Sequence, residues 1–412
     1  MTMHPNRRPL TRTLLALSTV ALASCATMQS VDAPAALNQA NAAMGGASLK
    51  SIQFDAAGSG GVFGQAYVPG APWPKLNVTL FSRALDFEGA AMRQDIAQNR
   101  AEPNGGGAIP LMGQGEQRTT GLLKGGFAWN MAGPAPIAAP LTLSGRVHDL
   151  WTSPHGAIKA ALKSNNGAWK VSENGQTYTA VAFGQPGHFT ATAYINAANQ
   201  VERVESVQPS PVMGDTMTTT WYSNYRSFNG VQFPMKIRQN MGGHEVFDLN
   251  VSDVKPNVAV NIETPALVSA FAERAVSEKV ADGVWFIGGG SHNSVAIEMA
   301  DHIILVESPL YDGRANVVLA EVQKLSPKPV RYAINSHHHF DHAGGLRTAA
   351  AAGAEIVGSA MAKPYFERIM ANANMVAPDA LAKSGKRATV SGIDGKREFT
   401  DGKRTVVAYA IE

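Results

Sequence analysis

The chain has 412 residues, enough for two domains. A hydrophobic fraction of 45% and a charged fraction of 16% exclude both a disordered chain and a polytopic membrane protein. The formal charge of +3 comes from the N-terminus: residues 1–24 hold three of the 35 basic side chains and none of the 32 acidic ones. The remainder is balanced, so there is no electrostatic case for a nucleic-acid partner.

Arg7, Arg8 and Arg12 precede an apolar run, Thr13 to Ala23, that is shorter than the roughly 20 residues needed to cross a bilayer. This pattern predicts an export signal over residues 1–24. The single cysteine, Cys25, follows at once. With no second cysteine, intramolecular disulfides are excluded, and core packing or metal must hold the fold. Leu22-Ala23-Ser24-Cys25 resembles the lipobox of bacterial lipoproteins. That resemblance implies lipidation at Cys25 and a membrane partner through the lipid. Ala26 after the cysteine implies the outer membrane, facing the periplasm. The other reading is a plain secretory signal cut nearby, with Cys25 incidental.

Beyond a short polar tether, Ala35–Ala43 reads as a helix ended by Gly45-Gly46. Residues 25–255 are then predicted to be a β-rich domain. Strands are expected at Leu49–Phe54, Asn77–Ser82, Ala84–Phe87, Thr177–Phe183, His188–Ile195, Val201–Val207 and Thr216–Tyr222, because β-branched and aromatic runs alternate with turn residues. Asn229-Gly230 signals a two-residue hairpin. Helices are confined to Val147–Trp151 and Ala157–Leu162, and Gly58–Gly61 and Gly105–Gly107 read as loops. Five tryptophans, Trp73, Trp129, Trp151, Trp169 and Trp221, lie here; such residues more often fill a core than line a ligand cavity. "WYSNYRSFNGVQFPMKIRQ" resembles a strand pair of lipoprotein-carrier-like envelope domains, which implies a curved antiparallel sheet.

Residues 256–276 form a connector ending in a short helix, and 277–412 change texture to mixed α/β. "GVWFIGG", "NSVAIEMADHIILVES" and "PVRYAINS" supply strands, with a helix over Asn316–Leu325, and two "DGKR" turns bracket another short strand. At the end of the third strand stands "SHHHFDHAGG". On an extended segment His337 and His339 face the same way and His338 the other. Asp341 and His342 follow at the turn into a helix, where Gly344-Gly345 allow close packing. Imidazoles with a carboxylate suit zinc; iron or manganese also accept such donors.

"SHHHFDHAGG", with "GVWFIGGGSHNSVAIEMADHIILVESP" before it, resembles the metallo-β-lactamase fold over about 279–412. The resemblance implies an αββα sandwich and a metal-dependent hydrolase of a small-molecule ester, thioester, lactam or similar substrate. It assigns the positions of His337 and His339 to one metal, and Asp341 and His342 to a second. A bound zinc would supply hydroxide near neutral pH and polarise the substrate. Asp341 is the candidate catalytic residue, orienting that water. Glu307, at a strand end, is a candidate partner for a histidine N–H, whereas His292 and His302 are not expected to touch the site.

The family pattern also needs a third histidine for the first metal, a bridging aspartate and a last histidine. "KRTVVAYAIE" resembles the strand leading to that third histidine, and no histidine follows His342. The domain is therefore expected to be incomplete, its first sheet lacking a partner layer on its inner face. A longer coding sequence, a chain that has lost catalysis and completion by a second copy all remain open, as do substrate and oligomeric state. The reading is a mixed α+β chain: an N-terminal antiparallel β-rich domain before an incomplete αββα domain. The competing function is a non-catalytic envelope lipoprotein binding an apolar ligand through its β-rich domain.

Overall fold

The computed structural model describes residues 29–101, 115–164 and 167–411. The expected signal segment, Cys25 and the Gly105–Gly107 loop lie outside them. Among the described residues the chain is mixed and strand-rich, with one sheet of fourteen strands, one of seven and a separate two-stranded hairpin.

Every pairing in the large sheet is antiparallel. The strand Ser51–Gly61 sits inside it, between His244–Pro256 and Lys75–Asp86. Gly58–Gly61 is thus strand, not the loop that its glycines suggest. The glycine there serves close backbone approach, since a Cβ on Gly58 would lie 2.0 Å from the Asp248 carbonyl oxygen. Asn77–Ser82 and Ala84–Phe87 likewise merge into Lys75–Asp86, whose pairing is irregular between Val78 and Leu80. At Asn229-Gly230 both residues have positive φ, 51° and 84°, and join Gly214–Phe228 to Val231–Met241 in a two-residue hairpin.

Two helices, Leu143–Thr152 and Pro154–Ser164, extend beyond the predicted spans. Their Val147, Leu150, Ala157 and Ile158 share one core with Ile52, Phe54, Phe81 and Phe233 from the sheet. Trp73 and Trp129 are buried in smaller clusters, and Trp151 packs beside the main core.

His155 is fully enclosed there, stacked at 5° on Phe233 and donating from Nε2 to the Met44 carbonyl at 3.1 Å. Burial pushes its pKa down to about 4 from 6.5. Between those values the unfolded chain binds the proton and the folded chain does not, so stability is full above 6.5 and falls as pH drops toward 4. The loss amounts to about 3 kcal/mol. Urea unfolding from pH 7.5 to 4 is expected to show a steeper decline for the native chain than for His155→Gln; equal slopes would remove His155 as the source.

The seven-stranded sheet begins with the antiparallel run Val276–Ala281, Val284–Gly288, Ser294–Glu298 and Ile303–Val306. It continues in parallel through Val330–Ile334, Glu355–Ser359 and Val390–Ile393. Parallel neighbours need crossovers, and the helices Asp312–Leu325, Leu346–Ala352 and Lys363–Ala371 lie in them. Asp312, four residues ahead of the predicted helix start, accepts from Ala380 N at 2.8 Å. Val318 and Val322 cover Ile287, Ile303 and Leu305, and Leu346, Phe366 and Ile369 cover Ala333 and Ile356. The opposite face is not bare. The hairpin Lys396–Thr400/Thr405–Tyr409 sets Phe399 and Val406 against Met299, Ile304, Ile334 and Val357, giving that face an apolar cover in place of the layer expected to be missing.

Candidate metal centre

The strand Val330–Ile334 lies parallel between Ile303–Val306 and Glu355–Ser359. Its carboxyl end delivers the histidine motif to the rim where open α/β sheets gather ligands. A one-turn helix, Phe340–Ala343, and then Leu346–Ala352 carry the chain away. Gly344 and Gly345 are required at this turn. A Cβ on Gly344 would lie 1.8 Å from the Leu310 carbonyl oxygen, and one on Gly345 2.6 Å from the Ala315 Cβ.

The motif residues converge. The His337 ring is 4.1 Å from that of His342 and 4.6 Å from that of His339, centroid to centroid. His342 donates from Nδ1 to Glu307 Oε2 at 2.9 Å, which directs Nε2 towards Asp341 Oδ2, 3.6 Å away. Glu307 also accepts from Ser336 N at 2.7 Å and occupies a left-handed backbone conformation, φ 65°. Such strain in a non-glycine residue persists where its surroundings over-determine it, as they do at functional sites. Glu307 therefore supports a histidine, as its strand-end position suggests.

Two contributions were not foreseen. His292 does reach the site: its Nε2 donates to Asp341 Oδ2 at 2.9 Å, and its ring lies 5.3 Å from that of His342. Donor atoms of His292, Asp341 and His342 all fall within 4.8 Å of one another. The loop carrying His292 is pinned by Arg314, which is completely buried and donates to the carbonyls of Arg274, Gly288 and His292. The detectable signal was positional. "GGGSHNS" joins two strands at the same sheet end as the motif. His302 instead engages Asp301 and Tyr332, as expected.

The second contribution comes from a loop of the large antiparallel sheet. The loop 62–74 lies over the motif. Gln65 donates from Nε2 to Asp341 Oδ1 at 2.8 Å, and Phe340 N donates to the Gly64 carbonyl at 3.1 Å. Phe63 packs edge-on against Phe340. The carbonyl of Ala66 accepts from His338 Nε2 at 2.8 Å and from His339 Nε2 at 3.1 Å. His338 is thus bonded away from the cluster, but onto the same oxygen that anchors His339.

These bonds decide what the site can hold. A carbonyl only accepts, so His339 carries its proton on Nε2 and presents the lone pair on Nδ1. That Nδ1 is buried with no hydrogen-bond partner. Outer bonds of this kind fix the tautomer of metal-binding histidines. The donor set, imidazole nitrogens and one carboxylate, fits a divalent cation. Burial, together with the charges of His342 and His339, pushes His337 down to about 4, and burial lowers His338 and His339. Burial works to raise Asp341, but the Gln65 bond and the His342 charge outweigh it, and its pKa is lowered. Glu307 raises His342.

Residues 287–368 match the family model of the metallo-beta-lactamase superfamily. Similar solved structures include a metallo-beta-lactamase from Pontibacter korlensis, 14% identical over 33% of this chain and 60% of that one, with a TM-score of 0.26. The mono-zinc form of the metallo-beta-lactamase FIM-1 from Pseudomonas aeruginosa is 20% identical over 32% of this chain and 57% of its own, with a TM-score of 0.24. A LolA superfamily protein from Nitrosomonas europaea is 15% identical over 56% of this chain and 96% of its own, with a TM-score of 0.33. The chain spans less than two thirds of the length of these two metallo-beta-lactamases. No curated protein matches it. Among the described residues no helix is long and apolar enough to cross a membrane.

Proposed function

We propose that this chain is a metal-dependent hydrolase, with zinc as the metal and an ester, thioester, lactam or similar small molecule as substrate. The observation that carries the reading is the convergence of His292, Asp341 and His342 within 4.8 Å, with the outer nitrogen of His342 held by Glu307. In this proposal those three residues hold one cation. His337 and His339, the latter through its unpartnered Nδ1, offer two donors beside it. A bound divalent cation supplies Lewis acidity and brings the pKa of water near neutrality. Asp341 orients the attacking water, Gln65 and Ala66 keep the donors in register, and Phe63 and Phe340 exclude bulk solvent from one side. The same proposal places the protein at the cell envelope through Cys25.

The test is zinc titration of the full chain against a chromophoric chelator, paired with hydrolysis of ester, thioester and β-lactam chromogens. At least one tightly held zinc per chain and zinc-dependent turnover of one chromogen class are expected. A chain that retains no zinc against a micromolar chelator would sink the reading.

A further inference from the structure

The loop that roofs the metal centre also closes one end of a cavity of about 580 Å³, within the usual range for small-molecule sites. Gln65, Phe340 and Asp341 form that end. Most of the lining, Ile96, Val212 and Met241 included, belongs to the large sheet and its loops, and Leu310 joins Phe340 and Asp341 from the later part of the chain. The cavity therefore lies along the large sheet and meets a carboxylate of the candidate metal centre at one end.

Several of the polar groups in its walls are engaged by the protein itself. Arg146 donates to the carbonyls of Leu122 and Trp129 and to Asn130 Oδ1. Asp149 accepts from Arg83, Gln208 donates to Thr218, and Thr216 donates to the Gly214 carbonyl. Ser210 Oγ accepts from Val212 N and Met213 N. With these groups engaged, a ligand lying along the walls packs chiefly on Met92, Ile96, Leu141, Val212 and Met241. At the metal end the situation reverses. Gln65 Nε2 is spent on Asp341, while Gln65 Oε1 is buried without any partner. An unmatched acceptor of this kind costs free energy unless a donor arrives.

We infer that the cavity is the acyl pocket of the hydrolase: the substrate is a single-chain acyl compound whose aliphatic chain fills this space along the large sheet. Its cleavable carbonyl lies at Asp341, and a hydrogen-bond donor on its head group meets Gln65 Oε1. This rests on the metal-hydrolase reading, and it assigns the β-rich domain the task of choosing the substrate. None of the five tryptophans from Trp73 to Trp221 lines the cavity, so the aromatic contacts to a bound chain come from Phe63 and Phe340.

The experiment is fluorescence titration of the full chain with 11-(dansylamino)undecanoic acid, with and without chelator. It is repeated on Thr119→Trp, an exposed lining position where the larger ring narrows the cavity at little risk to folding. Saturable one-to-one binding is expected, displaced by dodecanoate and not by acetate, and weakened at least tenfold in Thr119→Trp while zinc content is unchanged. Absence of saturable binding by a chain that holds zinc overturns the acyl pocket and leaves the hydrolase reading standing. So does unchanged affinity in Thr119→Trp. Probe binding by a chain that takes up no zinc overturns the hydrolase reading, and with it the claim that the occupant is a substrate.

Discussion

Replacing His292 with alanine is expected to weaken zinc binding by about 100-fold or more. Loss of a residue that merely orients a ligand costs 10–100-fold in metal affinity, and His292 supplies one of three donors within 4.8 Å of one another. Removing it leaves Asp341 and His342 where a catalytic zinc normally has three protein donors. His302→Ala is the matched control, because His302 is bonded to Asp301 and packed on Tyr332. Competition titration with a chromophoric chelator measures both variants, and unfolding in urea reports whether the fold survives each change. Equal zinc affinity in His292→Ala and the native chain would remove His292 from the site and restore the motif-only ligand set.

Asp379→Ala is expected to cost about 3–5 kcal/mol of folding stability, because it strands a buried charge. Arg347, 3% exposed, donates from Nε and Nη2 to the two oxygens of Asp379 and from Nη1 to the carbonyls of Ile369 and Met370. Asp379 in turn caps the helix Ala380–Ser384, accepting from Ala382 N at 2.8 Å. This pair ties the helix leaving the metal motif to two later helices. By contrast, truncating the exposed Lys324, whose Nζ pairs with Glu321 on the helix Asp312–Leu325, should cost at most about 0.5 kcal/mol. Urea unfolding of Asp379→Ala beside Lys324→Ala checks both. A loss below 1 kcal/mol for Asp379→Ala would show that Arg347 finds water or another partner.

The histidine motif was legible because its information is local. A strand, an H-x-H spacing, an aspartate and two glycines at a turn lie within residues 330–345, and strand geometry alone turns His337 and His339 to one side. Glu307 was legible for a similar reason, since the end of a neighbouring strand must lie near the end of the motif strand. Gly58–Gly61 misled because glycine marks a loop in most contexts, whereas here it lets two strands approach where a Cβ would collide with Asp248. The helices beside the large sheet were underestimated because their burial comes from the sheet's core, not from their own periodicity.

The amino-acid sequence by itself determined the two textures of the chain, the antiparallel character of the first and the donor chemistry of the metal motif. Those follow from residue type and short-range spacing. Only the tertiary structure decided that His292, 49 residues before Asp341, completes a group of donors. It alone brought Gln65 and Ala66, from a loop of the large sheet, to bind Asp341, His338 and His339. Those contacts depend on packing the two sheets' loops together, and a hydrogen bond across 276 positions leaves no mark on either local pattern. The cavity along the large sheet has the same origin: its walls come from segments far apart in the chain, and its shape exists only once they are packed.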